Sequence, residues 1–201
     1  NYRNWSRLFP ENQAIKYWAT EGKEGMLPDH LSKGYLNTGF FTFRNSWANE
    51  GIQMVVKAGP PAFWHNQPDN GTFEIWYNGK VLFQDSGAYV YGGGEEIMLW
   101  RNWFRRTASH NTLTFADRDI QTMNSKTLLW QPEGDVQILV TENPSYTYMT
   151  HRRSIFFVDG QYFVIVDEAV GSAKGMVELH YQMPRRKTSN SPMDMTFVTE
   201  N

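Results

Sequence analysis

Cysteine is absent from this 201-residue chain, which excludes disulfides and thiolate metal sites and leaves the compartment open. Charge of one sign is also lacking. The 19 Lys and Arg against 21 Asp and Glu leave a net charge of -2, so no global field marks nucleic acid as a partner. No apolar run approaches the roughly 20 residues that span a bilayer, which predicts a soluble chain with no membrane span. No initiating Met and no signal-peptide pattern open the sequence, and it closes at Asn201 in strand-like character. An excised piece of something longer is the expectation. Helical signals are scarce. Only Gln13–Ala19 carries one, stopped near Gly22 and Gly25 with Pro28 beyond.

What the chain has in quantity is aromatic side chains, 15% of its residues, with 8 Trp, 10 Tyr and 13 Phe. Such a load suits a sheet protein, and also one that stacks sugar rings. From Gly39 onward apolar residues recur with period two: Phe41 and Phe43; Ile52, Met54 and Val56; Phe73, Ile75 and Tyr77. Asn78-Gly79 and Asp159-Gly160 sit between strand-like runs and predict tight hairpins. With about ten to twelve strands so spaced, the expected fold is all-β, an antiparallel sandwich of two sheets. Residues 1–30 are read as the end of a helical domain or a linker, and 31–201 as the sandwich. Tyr89–Arg106 has no clean period and reads as a long loop.

Three segments carry groups of ligand or acid-base type. Residues 64–71 read Trp-His-Asn-Gln-Pro-Asp-Asn-Gly; a turn needs the Asn-Gly, and His65 lies outside that need. The amides of Asn66 and Gln67 can orient an imidazole. Asp85 follows the strand Val81–Phe83, and His110-Asn111 comes 25 residues later. Gln67, Asp85 and His110 offer a carbonyl oxygen, a carboxylate and an imidazole, a set acceptable to zinc, calcium or manganese. On the residues alone the simpler account is different: Asp85 caps a turn before Ser86-Gly87, and His110 bonds to the backbone. Arg101-Asn-Trp-Phe-Arg-Arg106 is dense in arginine and aromatic rings, the groups that hold sulfate or carboxylate and stack on sugars. Glu95-Glu96 does not make a glycosidase pair, because neighbours on an extended segment point apart. Gly92-Gly-Gly94 lacks the Lys-Ser/Thr and helix of a phosphate loop.

Trp64–Glu74, Leu82-Phe-Gln-Asp-Ser-Gly87 and Trp103–Leu113 together resemble the β-sheet domain of heparinase II/III-type polysaccharide lyases, over about residues 36–182. The resemblance implies a parent enzyme that joins an N-terminal α/α toroid to an antiparallel sandwich. Such a parent would cleave uronic-acid-containing glycosaminoglycans of the heparan sulfate type by β-elimination. It implies His65 as the sandwich's contribution to catalysis, and one divalent ion, zinc or calcium, on Gln67, Asp85 and His110. Some members carry His where this chain has Gln67, which leaves calcium open. Asn66, Trp103, Arg105 and Arg106 are the candidates for sugar contacts, argued from chemistry. The family's catalytic Asn and Tyr belong to the toroid, and no Tyr here matches, so the fragment by itself is expected to be inactive. The resemblance also implies a periplasmic or secreted location. The competing expectation is a non-catalytic carbohydrate-binding or structural module, independent of His65.

Overall fold

The computed structural model describes residues 1–61 and 66–184, with the backbone of 187–188 and 197–198. Two short helices come first, α1 (Tyr2–Leu8) and α2 (Gln13–Ala19). The Asn12 side chain caps α2 by accepting from the Ile15 amide at 3.0 Å. Five strands follow: β1 (Lys33–Tyr35), β2 (Phe40–Arg44), β3 (Ile52–Lys57), β4 (Phe73–Tyr77) and β5 (Lys80–Phe83). They form one antiparallel sheet in sequence order. Next come α3 (Glu95–Phe104), a 3₁₀ turn at Thr107–Ser109 and β6 (Leu113–Phe115). The strands β7 (Lys126–Gln131), β8 (Val136–Tyr146), β9 (Met149–Val158) and β10 (Tyr162–Gly171) build a second, four-stranded antiparallel sheet. The last described side chains include β11 (Val177–Leu179), which pairs with β6.

The period-two apolar residues are what hold the two sheets face to face. Phe41, Phe43, Ile52, Met54, Val56, Phe73 and Ile75 of the first sheet share one core with Leu139, Ile155 and Phe157 of the second. Phe43 sits at the seam, with ring centroids 5.1 Å from Trp130, 6.1 Å from Phe157 and 5.9 Å from Phe163. The molecule is therefore the antiparallel two-sheet sandwich expected. Both predicted hairpins have the left-handed turn residues that a type I′ turn requires: Asn78 and Gly79 at φ 51° and 68°, Asp159 and Gly160 at 51° and 64°.

One expectation fails. Residues 95–104, read as part of a long loop, are the helix α3. Its start carries a Gly94 cap and two acids, Glu95 and Glu96, in the first turn, where the helix dipole favours negative charge. None of its residues is buried, so no apolar stripe was there to betray the period. No helix among the described residues is long and apolar enough to cross a membrane.

Candidate active site

The site lies at the end of the first sheet where β3 runs out and β4 begins. Between them the chain folds over as a loop, and its residues Asp69, Asn70 and Thr72 are buried. A buried loop must find partners for its backbone, and successive carbonyls find theirs in distant segments. Arg105 Nη2 donates to the Asn66 carbonyl at 2.8 Å, and Thr107 Oγ1 to that of Pro68 at 2.6 Å. Thr112 Oγ1 donates to the Asn70 carbonyl at 2.8 Å, and Arg153 Nη1 to that of Gly71 at 2.5 Å. Gly71 holds φ at +88°, the left-handed region that glycine enters without strain.

Asp85 enters this end from β5, and His110 from the 3₁₀ turn. His110 is fully buried, and its Nδ1–H donates to Asp85 Oδ2 at 2.7 Å. The Gly87 amide donates to Asp85 Oδ1 at 2.8 Å and the Thr72 hydroxyl to Oδ2 at 3.2 Å. Burial pushes the Asp85 carboxyl up, but the bond from His110 and the amide and hydroxyl donors outweigh it and hold it below its ordinary range. Asn111, also fully buried, fixes the backbone beside His110. Its amide nitrogen donates to the carbonyls of Phe73 and Gln84, and its oxygen accepts from the Gln182 amide.

Asp69, the carboxylate of the 64–71 segment, is a group to which the sequence assigns no ligand role. It converges on the same point: one ligand atom each of Asp69, Asp85 and His110 lies within 4.8 Å of the others. The Lys57 ammonium donates to Asp69 Oδ1, yet burial raises the Asp69 carboxyl more than that cation lowers it. Glu74 is raised too, by burial and then by the charge of Asp85. These groups border a cleft of 190 Å³ lined by Phe40, Val55, Lys57, Asp69, Glu74 and Asp85, among others. Two buried polar atoms nearby have no partner among the described residues, Gln67 Oε1 and His110 Nε2. Both are lone-pair donors, since Nδ1 of His110 carries the proton. Two unpaired lone pairs beside the carboxylates of Asp69 and Asp85 are a donor set that suits a hard or borderline divalent cation.

The sequence candidates therefore divide. Gln67, Asp85 and His110 stand at one end of one sheet. Asn66 and Arg105 are in direct contact, through the Asn66 carbonyl. Arg106 is turned to the surface, paired with Asp117 at 3.3 Å and Asp119 at 3.7 Å. Trp103 is about half exposed, on α3. His65 lies outside the described residues.

Beneath the site is a charged network that sequence reasoning missed. Arg153, 1% exposed, pairs with Asp167 through Nε at 2.7 Å and Nη2 at 2.9 Å. Its Nη1 reaches the carbonyls of both Gly71 and Asn111. Asp167 also accepts from His151 Nε2 at 2.7 Å. Burial keeps the His151 imidazole below its ordinary range despite that bond. Burial raises the Asp167 carboxyl, and the donors from His151 and Arg153 more than reverse it, holding it well below the usual carboxylate range. One guanidinium thus balances one carboxylate, with a neutral histidine as donor. The available signal was register: a turn at Asp159-Gly160 sets Arg153 opposite Asp167.

Residues 28–199 match the family model described as heparinase II/III-like, C-terminal, and the chain belongs to that family. It is 66% identical over its whole length to a heparin-sulfate lyase of Bacteroides stercoris, and 42% identical over 97% of its length to one of Pedobacter heparinus. Among solved structures it is similar to a heparinase III, with a TM-score of 0.95 and 64% identity over 99% of this chain. It spans 30% of the length of the Bacteroides stercoris relative and 31% of that solved chain.

Proposed function

We propose that this chain is the sandwich part of a polysaccharide lyase that cleaves a uronic-acid-containing glycosaminoglycan of the heparan sulfate type by β-elimination. The observation that carries the reading is the meeting of Asp69, Asp85 and His110, from three separate segments, with ligand atoms within 4.8 Å of one another. Its weight comes from the chain's 66% identity to a heparin-sulfate lyase. In the reaction a base takes the proton from C5 of the uronate, and the electron pair of that bond forms the C4–C5 double bond. The C4–oxygen bond breaks, and the departing oxygen receives a proton from an acid. Neutralising the uronate carboxylate acidifies the C5 proton.

His65 is assigned either to contact with that carboxylate or to shuttling the C5 proton, by the family resemblance of its motif. Arg105 holds the backbone next to it at Asn66, so its role is to position the loop. Asn66, Trp103 and Arg106 remain the groups offered to the sugar and its sulfates. Gln67, Asp69 and the free Nε2 of His110 would hold a zinc or calcium ion, with Asp85 orienting the imidazole through Nδ1. When bound, that ion supplies fixed positive charge that offsets the carboxylates and locks the loop ends below the cleft. On this reading the remaining catalytic groups belong to the toroid of the parent chain, and an extracellular polymer as substrate favours the periplasm or the outside of the cell.

The test uses the intact protein that contains this chain and follows ultraviolet absorbance on heparan sulfate. Elimination creates a double bond conjugated to the carboxylate, and hydrolysis does not. Absorbance growing with each chain cut is the expected result; cutting without it would replace the lyase by a hydrolase, and no cutting would leave a binding module.

A further inference from the structure

The other end of the same sheet holds a second set of unsatisfied polar groups. Five buried side-chain atoms lack partners among the described residues. Two belong to the site above and two, Arg44 Nε and Trp47 Nε1, border one pocket of 170 Å³. Both are obligate donors. The Arg44 guanidinium rests 4.0 Å over the Trp47 ring and forms no hydrogen bond or ion pair among the described residues. Desolvation pulls its pKa down, the direction expected of a cation lacking a carboxylate. The pocket's other polar side chains include Asn49, Gln53 and Trp76, and no Asp or Glu lines it. A half-buried cation with a hydroxyl, amides and indoles but no carboxylate around it is completed by an oxyanion.

Placement ties this pocket to the first site. The buried residues of β2, β3 and β4 face the core, so Arg44, Gln53 and Trp76 share the outer face. The ladder sets Arg44 opposite Gln53 and Gln53 opposite Trp76. Lys57 and Phe40, opposite each other on the same face, line the active-site cleft. Gln53 and Lys57 are four steps apart along the strand, about 13 Å at the rise of a β-strand. Between the two ends the outer face carries Thr42, Val55 and Glu74.

We propose that the pocket around Arg44 is a distal saccharide subsite. It takes the sulfate or carboxylate of a sugar several units from the cleavage point, with Trp76 as a stacking surface. The polymer would then lie along the outer face of the five-stranded sheet. This rests on the lyase reading for its ligand class.

The test compares wild type, Arg44→Gln and Trp76→Ala in the intact protein, with exposed Lys126→Gln on the other sheet as the control for lost charge. Kinetics are read on a heparan sulfate decasaccharide and on the shortest oligosaccharide that wild type cleaves. Calorimetric binding of the decasaccharide is read separately. Both pocket variants should raise KM for the decasaccharide roughly tenfold, as expected for lost charge-assisted bonds or a lost stacking ring. The kcat, the kinetics of the short substrate and the melting midpoint should not move, and Lys126→Gln should match wild type. Unchanged decasaccharide binding overturns the subsite. Equal losses on both substrates, or a lowered melting midpoint, overturn it in favour of a packing role against the rest of the parent chain. If wild type binds the decasaccharide without cleaving it, the lyase reading fails while the pocket is still read by calorimetry.

Discussion

Replacing Arg153 with Leu is expected to destabilise the protein by about 3–5 kcal/mol, the range for removing one member of a buried ion pair. The reason is what remains behind. Asp167, with 3% of its side chain exposed, would keep a negative charge without its guanidinium. The carbonyls of Gly71 and Asn111 would lose their Arg153 donor as well. At roughly 2–4 °C per kcal/mol for a chain of this size, the melting midpoint should fall by roughly 6–20 °C. The double variant Arg153→Met with Asp167→Leu should recover part of the loss, because an apolar pair leaves no uncompensated charge. A single-variant loss below about 1 kcal/mol would mean that the network is solvated and does not hold the loops.

The second large effect concerns turnover. In the intact protein His65→Ala should lower kcat by roughly 10²–10⁴, the usual worth of a positioned acid-base or charge-stabilising group. The KM should change little and the melting midpoint should stay in place, since the group acts on the transition state. Unchanged turnover would remove His65 from the mechanism and return the chain to the binding-module reading. A loss in KM alone would make His65 a sugar contact.

How much of this was legible in the chain differs by element. The hairpins at Asn78-Gly79 and Asp159-Gly160 were, because left-handed turn chemistry is local and needs no tertiary partner. The sandwich was, because period-two burial survives in the identities of Phe41, Phe43, Met54 and Val56. Helix α3 was not, since a helix that buries nothing leaves no apolar stripe. Gln67, Asp85 and His110 came from family resemblance. Asp69 escaped because an Asp before Asn-Gly reads as turn chemistry. Only the return of the chain at Lys57 brings it within reach of Asp85 and His110. Arg153 and Asp167 are charged residues that drop out of an apolar pattern, although the buried phase of β9 runs through Met149, His151, Arg153, Ile155 and Phe157. Reading register outward from Asp159-Gly160 would have paired them.

The convergence of Asp69, Asp85 and His110 is the centre of the account, and metal content tests it most directly. Elemental analysis by inductively coupled plasma mass spectrometry should find close to one equivalent of zinc or calcium in the wild-type protein. In Asp85→Ala that metal should be lost or strongly reduced, because the variant removes the acceptor that orients His110 and a negative charge beside the site. Metal absent from wild type, or retained undiminished in Asp85→Ala, would contradict the assignment of these residues to a cation site.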